Sequence, residues 1–327
     1  MNRLLRPFHS SQAPKISFAF DIDGVLVQGR NALSAGQNAL KLLEKFQIPF
    51  IVLTNGGGML EKEKAIGLGK RMGIEIPHTR VCLSHTPMKS LKQKYKNEHV
   101  LVIGGGDHGK MKEVAHSYGF QKVITSREVF ETYHDVWPFK RSKPKERRLD
   151  EISRLKISAC LVMHDSFDWG MDMQIMYDVL RSKGGHYMSF EKGSKQAVPL
   201  YFSNSDMVWR ADYPHLRFAQ GSFKHSFSAL YRELSGHDLE YTAFGKPSKQ
   251  TYQYADSMLR SISTFDKVYM IGDNPKSDIL GANNYGWESM LVTTGVWQGE
   301  PGHGAKHIAN DAEEAVVNAL RANGYKV

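Results

Sequence analysis

The chain has 327 residues, a hydrophobic content of 41% and a formal net charge of +9 at pH 7. This length allows two domains with a sizeable core, and the positive charge favours anionic ligands such as phosphorylated molecules. Cys82 and Cys160 form no ligand cluster, so neither a zinc site nor a disulfide framework is indicated. No apolar run reaches about 18 residues, so we expect no transmembrane segment.

The first fifteen residues have the composition of a mitochondrial leader, because they contain basic residues and serines but no acidic residue. Arg6, Phe8 and Ser11 also resemble the cleavage pattern of matrix-targeted precursors. We therefore expect a mitochondrial protein of the matrix, with residues 1–15 as its leader. A short disordered tail is the alternative.

The segment Ile16–Phe20 is almost entirely apolar, as expected for a central parallel strand with helices on both faces. Asp21 and Asp23 follow at its carboxyl end, where ligands bind in open α/β sheets. Two neighbouring carboxylates repel each other, so the pattern indicates a divalent cation between them. An ordinary Asp-Gly turn is the alternative.

A helix over residues 34–46 and a second apolar strand, Ile48–Leu53, come next. This strand is followed by a hydroxyl, an amide and backbone N–H groups suited to phosphoryl oxygens: Thr54, Asn55 and Gly56. Taken alone, a glycine-rich turn before a helix over Glu61–Met72 is the alternative.

A shift towards lysine and polar residues between 84 and 95 predicts a domain boundary. The following strands and helices alternate, which predicts a separate α/β domain: His99–Ile103, 110–118, Ile157–Met163, Met171–Lys183 and Pro199–Phe202. The predicted division is a leader at 1–15, a first domain formed by 16–90 with 217–327, and an inserted second domain at 91–216.

The segment Gly104–Gly109 has the form G-x-G-x-x-G, and Glu128 follows at about the distance of a ribose-binding acid. We favour a tight turn over a dinucleotide site, because Lys110 follows at once and only one βαβ unit comes after it.

The stretch from Lys140 to Arg148 contains six basic residues and predicts a solvated loop, with anionic lipid or RNA as alternatives. It lacks interleaved aromatic residues for base stacking, so no nucleic acid is expected as a partner. Four polar residues that follow strands are weaker candidates for substrate selection: His164, Asp168, Asn204 and Asp206.

A helix over Ser222–Leu234 is predicted to return the chain to the first domain. Lys246 then lies between Gly245 and Pro247, where its ammonium could neutralise a nucleophile and a phosphoryl group; a solvated lysine is the alternative. The strand Val268–Ile271 leads to Asp273, which Asp278 can support from the next helix.

Together these segments resemble the four motifs of the haloacid dehalogenase superfamily: Asp21-x-Asp23, Thr54, Lys246, and Gly272-Asp273 with Asp278. The insertion between the second and third motifs resembles the α/β-capped class (class IIA). Residues 245–255 and 272–278 are similar to the cat-eye-syndrome-critical-region subfamily of mitochondrial members. The resemblance implies an α/β fold: a Rossmann-like three-layer core with a mostly parallel sheet and an inserted α/β cap domain.

The resemblance also implies a role for each matching residue. Asp21 would be the nucleophile and Asp23 the general acid and base. Thr54, Asn55, Gly56 and Lys246 would bind the phosphoryl group. Mg²⁺ would be the cofactor, held by Asp21, the backbone carbonyl of Asp23, and Asp273, with support from Asp278. Gly56 replaces the second asparagine of many α/β-capped relatives, which affects substrate choice.

These roles imply a Mg²⁺-dependent phosphatase that hydrolyses a phosphomonoester through an aspartyl phosphate. The cap would select the substrate, either a phosphorylated small molecule or a lipid phosphate. The alternative is a catalytically weak binding or regulatory protein of mitochondria, linked to phospholipid metabolism. A mutase or dehalogenase is less favoured, because dehalogenases have a different residue at the position of Asp23. The sequence leaves a homo-oligomer open.

Overall fold

A computed structural model describes residues 16–106, 109–139, 155–190, 193, 195–209, 213, 215–297, 299 and 304–327. The predicted leader at 1–15 and the basic stretch from Lys140 to Arg148 lie outside the described residues. In the described part of the chain, no helix combines the length and apolar composition needed to cross a membrane.

The described residues contain strands interspersed with α-helices. The strands are β1 (Ile16–Phe20), β2 (Val27–Gln28), β3 (Asn31–Ala32), β4 (Phe50–Leu53), β5 (Val81–Cys82), β6 (His99–Gly105), β7 (Lys122–Thr125), β8 (Ile157–Ser166), β9 (Ser182–Lys183), β10 (His186–Phe190), β11 (Leu200–Phe202), β12 (Val208–Trp209), β13 (Arg217–Phe218), β14 (Thr242–Ala243), β15 (Lys267–Gly272), β16 (Glu288–Val292) and β17 (His307–Ala309). The α-helices are α1 (Ser34–Lys45), α2 (Glu61–Met72), α3 (Lys92–Tyr95), α4 (Lys110–Ser117), α5 (Ser126–Thr132), α6 (Trp169–Leu180), α7 (Gln220–Ser235), α8 (Lys249–Ile262), α9 (Leu280–Tyr285) and α10 (Ala312–Ala322).

The first sheet has six parallel strands in the order β17-β16-β15-β1-β4-β5. Strand β1 is central, and all five of its residues are buried. Phe18 and Phe20 pack against α1, α2 and α10 on one face, whereas Ala19 contacts α8 and α9 on the other. This unit, which we call the core unit, therefore has three layers, as predicted.

The second sheet has five parallel strands in the order β14-β11-β8-β6-β7. Helices α5, α6 and α7 contribute to the hydrophobic cluster on one face, and α4 contributes to the cluster on the other. Successive strand residues face opposite sides, so Leu101 and Val102 belong to different clusters. We call this second α/β layer structure the cap unit.

The prediction that the helix near Ser222–Leu234 returns the chain to the first domain is wrong. Helix α7 packs against the second sheet, where Phe223, Phe227 and Tyr231 are fully buried. Strand β14 is also an edge strand of the second sheet. An amphipathic pattern shows that a helix buries one stripe, but it does not identify the sheet that covers the stripe.

Replacing Phe227 with alanine should destabilise the protein by about 3–5 kcal/mol, because the buried ring leaves a cavity in the cap unit. Urea unfolding followed by circular dichroism measures the loss. The matched control is Leu230→Ala on the same helix, since Leu230 is 42% exposed; its effect should stay within about 0.5 kcal/mol. Equal losses for the two variants would contradict the packing of α7 on this sheet.

Candidate active site

The carboxyl ends of three neighbouring strands of the core unit bring the predicted polar residues together. Asp21 follows β1, Thr54 follows β4 and Asp273 follows β15. The backbone N–H of Asp21 donates to the carbonyl of Ile271 at 2.9 Å, which extends the β1–β15 pairing to the site. Parallel pairing therefore explains how residues more than 200 positions apart meet at one edge.

Lys246 lies at the centre of this group and is 1% exposed. Its Nζ is 2.8 Å from Asp21 Oδ1 and 2.7 Å from Asp278 Oδ1. Burial alone would lower the pKa of the ammonium, but the negative charges of Asp21 and Asp278 outweigh burial and raise it well above its ordinary value. The lysine is therefore a fixed positive charge between two carboxylates.

Asp21, Asp273 and Asp278 each offer an oxygen atom within 4.8 Å of the other two. Burial, followed by the charges of Asp21 and Asp278, raises the pKa of Asp273 to about 8. Burial likewise raises the pKa of Asp278 to about 7, although Lys246 opposes the shift. Asp278 Oδ1 is at ion-pair distance from Lys246 but accepts no well-aligned hydrogen bond. A hard cation such as Mg²⁺ fits this excess of carboxylate oxygen.

Asp23 lies beside this cluster, and its side chain is not one of the three grouped carboxylates. The prediction assigned its backbone carbonyl to the metal, and the adjoining backbone does approach Asp273: a Cβ on Gly24 would lie 2.5 Å from Asp273 Oδ2. The Asp23 side chain is exposed. The surrounding protein nevertheless weakens its hydration, which raises its pKa, and the charge of Asp21 raises it further while Lys64 opposes the shift.

Thr54 and Asn55 occupy the loop after β4. Thr54 is buried, and its Oγ1 accepts a hydrogen bond from the backbone N–H of Gly56 at 3.0 Å. The Asn55 side chain binds the backbone of Lys246 on both sides: Lys246 N donates to Oδ1 at 2.7 Å, and Nδ2 donates to the Lys246 carbonyl at 3.0 Å. Asn55 therefore uses its side chain to hold Lys246.

Two histidines explain why glycines continue this loop. A Cβ on Gly57 would lie 2.9 Å from His85 Cδ2, and a Cβ on Gly58 would lie 2.6 Å from His164 Nε2. Gly58 also has φ of +84°, a conformation that favours glycine. Burial lowers the pKa of His85 to about 4, although Glu61 opposes the shift, so this imidazole is neutral at pH 7.

The four residues that were weaker candidates for substrate selection differ in their contacts. Asp206 Oδ2 accepts a hydrogen bond from Asn55 Nδ2 at 3.0 Å, and Asn204 supports Asp206 by accepting its backbone N–H at 2.9 Å. His164 contacts the Gly58 loop. Asp168 accepts a hydrogen bond from Met171 N at the start of α6, so it acts as a helix cap.

The glycine-rich segment after β6 borders a separate cavity of about 510 Å³ in the cap unit. Glu128 also lines this cavity, but its carboxylate binds Lys112 Nζ at 2.5 Å and the backbone N–H of Thr125 at 3.0 Å. These contacts engage the acid that a dinucleotide ribose would require, which disfavours a dinucleotide site.

Three contacts of the site were not predicted from the sequence. Val296 N donates to Asp273 Oδ2 at 2.7 Å, Tyr252 Oη donates to the Asp278 carbonyl at 2.9 Å, and Asn274 N donates to Asp278 Oδ2 at 3.1 Å. The sequence held one signal: residues 293–295 follow an apolar strand, as the other site segments do. The buried Tyr252 resembles any core aromatic in the sequence.

Comparisons with known proteins identify the family and several relatives of the chain. A family model described as haloacid dehalogenase-like hydrolase matches residues 18–121, and a HAD-hydrolase-like model matches residues 243–321. The mitochondrial hydrolase YKR070W of Saccharomyces cerevisiae is 36% identical, over 96% of this chain and 97% of its own length. A cardiolipin synthase (CMP-forming)/mitochondrial hydrolase fusion protein of Schizosaccharomyces pombe is 40% identical over 93% of this chain. The match spans about half of that fusion protein, 53% of its length.

Solved structures share the fold at low sequence identity. A p-nitrophenyl phosphatase from Archaeoglobus fulgidus is 16% identical with a TM-score of 0.66, over 94% of this chain and 100% of that chain. A glycerol phosphate phosphatase from Mycobacterium tuberculosis, solved in complex with calcium, is 18% identical with a TM-score of 0.62, over 92% of this chain and 74% of that chain.

Mg²⁺ binding should strengthen as the pH rises from 6 to 8. Asp273, with its pKa raised to about 8, and Asp278, with its pKa raised to about 7, hold protons at low pH that a metal must displace. Isothermal titration calorimetry measures the affinity. Asp273→Asn should weaken binding by about 10–100-fold, by analogy with the loss of groups that support metal sites.

The control for this measurement is Asp238→Asn, because Asp238 is 77% exposed and forms a surface ion pair with Arg232. This variant should bind Mg²⁺ with unchanged affinity. Binding that does not depend on pH, or that survives Asp273→Asn, would show that the grouped carboxylates are not the ligands.

Proposed function

Because the chain belongs to the haloacid dehalogenase-like hydrolases, we propose that it is a phosphatase that hydrolyses a phosphomonoester through an aspartyl-phosphate intermediate. The observation that carries the proposal is the buried Lys246 ammonium, 2.8 Å from Asp21 and adjacent to a group of carboxylates. This arrangement orients one carboxylate oxygen of Asp21 and offers positive charge where a phosphoryl group would approach.

In the proposed first step, a carboxylate oxygen of Asp21 attacks phosphorus while the bond from phosphorus to the leaving oxygen breaks. Asp23 gives its proton to that leaving oxygen. In the second step, Asp23 accepts a proton from water as the water oxygen attacks phosphorus, which frees Asp21 and inorganic phosphate. The raised pKa of Asp23 supports this role, because the acid must be protonated when the first step begins.

Lys246 and Thr54 would hold the nonreacting phosphoryl oxygens. Thr54 Oγ1 already accepts a hydrogen bond from Gly56 N, so its own hydroxyl hydrogen remains to be donated to the phosphoryl group. Asn55 would contribute its backbone N–H, since its side chain holds Lys246.

Asp21, Asp273 and the Asp23 carbonyl would hold Mg²⁺, and Asp278 would support them. Bound there, Mg²⁺ would supply positive charge that lets a carboxylate approach an anionic phosphate. Among the residues that the structure describes, Lys246 is the one lysine in direct ion-pair contact with any of these three carboxylates, which supports the assignment of a divalent cation.

A lipid phosphate is the second candidate substrate, in place of a soluble phosphate ester. The observation in its favour is that one relative carries the equivalent hydrolase fused to a cardiolipin synthase, an enzyme of lipid synthesis by its name. We also propose that the protein acts in the mitochondrial matrix, because both relatives are named mitochondrial hydrolases and residues 1–15 have leader composition.

Asp23→Asn removes general acid catalysis and should reduce the rate of p-nitrophenyl phosphate hydrolysis by about 10²–10⁴-fold. Asp21→Asn removes the nucleophile and should reduce the rate by at least as much. Release of p-nitrophenol with Mg²⁺ present measures the rate, and circular dichroism checks the fold. Asp238→Asn is the matched exposed control. Undiminished turnover by Asp21→Asn would refute the aspartyl-phosphate mechanism. Mg²⁺ binding without hydrolysis of a broad phosphate panel would favour the binding or regulatory alternative.

Comparing a phospholipid phosphomonoester in mixed micelles with glycerol phosphate distinguishes the two substrate classes. If the substrate is lipid, kcat/KM for the micellar ester should be at least about tenfold higher, since the extra apolar contacts contribute about 1.4 kcal/mol or more to transition-state binding. Release of inorganic phosphate measures both reactions, and Asp21→Asn should abolish both. A higher kcat/KM for glycerol phosphate would assign the enzyme to soluble esters.

A further inference from the structure

We propose that Asp206, a carboxylate of the cap unit, is a positioning residue for Lys246 of the active site and acts through the side chain of Asn55. The inference rests on the proposed phosphatase function and adds a residue to it. It makes the position of the catalytic lysine depend on the cap unit, so that the cap contributes to the chemical step as well as to substrate selection.

The first observation is the hydrogen bonding of the Asn55 amide. Its Nδ2 donates to Asp206 Oδ2 at 3.0 Å and to the Lys246 carbonyl at 3.0 Å, while its Oδ1 accepts from Lys246 N at 2.7 Å. An ionised carboxylate can accept hydrogen bonds but cannot donate one. Asp206 therefore selects the orientation of the Asn55 amide in which Nδ2 faces the carboxylate. That same orientation is the one that matches both backbone groups of Lys246.

The second observation is that Asp206 is itself held in place by the cap unit. Its backbone N–H donates to Asn204 Oδ1 at 2.9 Å, and its carbonyl accepts from Gly221 N at 2.8 Å in the first turn of α7. A Cβ on Gly221 would lie 2.5 Å from the Asp206 carbonyl oxygen, so only glycine permits this approach. The carboxylate is thus fixed by α7 and by the turn after β11.

The third observation is that the backbone leading to Lys246 starts in the cap sheet. Strand β14 pairs with β11, and Phe244 N donates to the Phe202 carbonyl at 2.7 Å. Gly245, with φ of +79°, follows; a Cβ there would lie 2.6 Å from the Ser203 carbonyl oxygen and 3.1 Å from Asn55 Oδ1. The turn that carries Lys246 is therefore packed between Ser203, in the segment after β11, and Asn55.

These contacts form a chain from the cap to the nucleophile. Asp206 orients Asn55, Asn55 holds the backbone of Lys246, and Lys246 Nζ lies 2.8 Å from Asp21 Oδ1. A displacement of about 1 Å in a positioning group can reduce the rate of a chemical step by about 10²-fold. Loss of the Asp206 acceptor should therefore act mainly on kcat.

A different role for Asp206 would be to balance the positive charge of the nearby Lys224. Burial lowers the pKa of Lys224, and the negative charge of Asp206 opposes this shift. Lys224 Nζ also donates to Ser205 Oγ at 3.2 Å. Lys224→Met separates the two roles, because it removes this positive charge and leaves the Asp206–Asn55 hydrogen bond in place.

Steady-state kinetics with p-nitrophenyl phosphate and saturating Mg²⁺ test the proposal. Asp206→Leu should reduce kcat by about 10–100-fold and change KM by less than about threefold. Asp206→Asn should keep kcat within about threefold of the wild type, because its amide oxygen can still accept from Asn55. Lys224→Met should behave like the wild type. In an Asn55→Ala background, Asp206→Leu should reduce kcat by less than about twofold further, because the two residues act in one chain.

Hydrogen exchange of the Lys246 amide provides a readout that does not depend on activity. The Lys246 N–H is donated to Asn55 Oδ1, so peptides covering residues 244–248 should exchange faster in Asp206→Leu and Asn55→Ala but not in Asp206→Asn. If Asp206→Leu does not fold, Asp206→Ala replaces it with the same expected outcomes.

The outcomes separate this inference from the proposed function. If the wild type hydrolyses no phosphate ester but exchange at Lys246 rises in Asp206→Leu, the phosphatase proposal fails and the positioning contact stands. If the wild type is active and Asp206→Leu changes neither kcat nor exchange, the positioning role is wrong. Additive losses in the double variant, or a loss in Lys224→Met equal to that in Asp206→Leu, would also overturn it.

Discussion

The structure depends on one buried interaction, the contact of the Lys246 ammonium with the carboxylates of Asp21 and Asp278. Lys246 and Asp278 are almost completely inaccessible to water, so neither charge could remain there alone. Each carboxylate raises the pKa of the lysine, and the lysine in turn opposes the rise in the pKa of Asp278. Removing Lys246 would leave two neighbouring carboxylates, one of them fully buried, without their positive partner, so the segments that carry these residues must converge in the folded protein.

The core sheet and the cap sheet together bring these charged residues into contact. The core sheet supplies Asp21 and Asp273 from paired parallel strands, β1 and β15. Lys246 comes from the other direction, because β14 is an edge strand of the cap sheet and ends three residues before it. The site therefore lies at the junction of the two units. The packing of the cap sheet positions the segment that carries Lys246, and the packing of the core sheet positions Asp21 and Asp273.

Local chemistry was predictable from the sequence, whereas the contacts between distant segments were not. Helix α2 has the predicted limits, Glu61–Met72, and the acids after β1 and β15 follow buried strands as expected. The partner of α7 could not be predicted, because its apolar stripe would fit either sheet equally well. The Asp206–Asn55 hydrogen bond joins residues 151 positions apart, and no local pattern marks such a pair. The close approach of His85 to Gly57 and of His164 to Gly58 comes from segments distant in sequence, the turn after β5 and strand β8.

The contrast between Lys246 and Asp23 follows from what each would do in the proposed reaction. Lys246 must carry the same charge throughout, and its burial between carboxylates keeps the pKa of the ammonium far above neutral pH. Asp23 must lose a proton in one step and regain it in the next, so a strong fixed ion pair would oppose one of the two states. Its exposed side chain and its raised pKa, with opposing effects from Asp21 and Lys64, suit a group that changes protonation state. The same site thus combines an immobile charge, held by packing from two sheets, with an acid that packing leaves free to exchange protons.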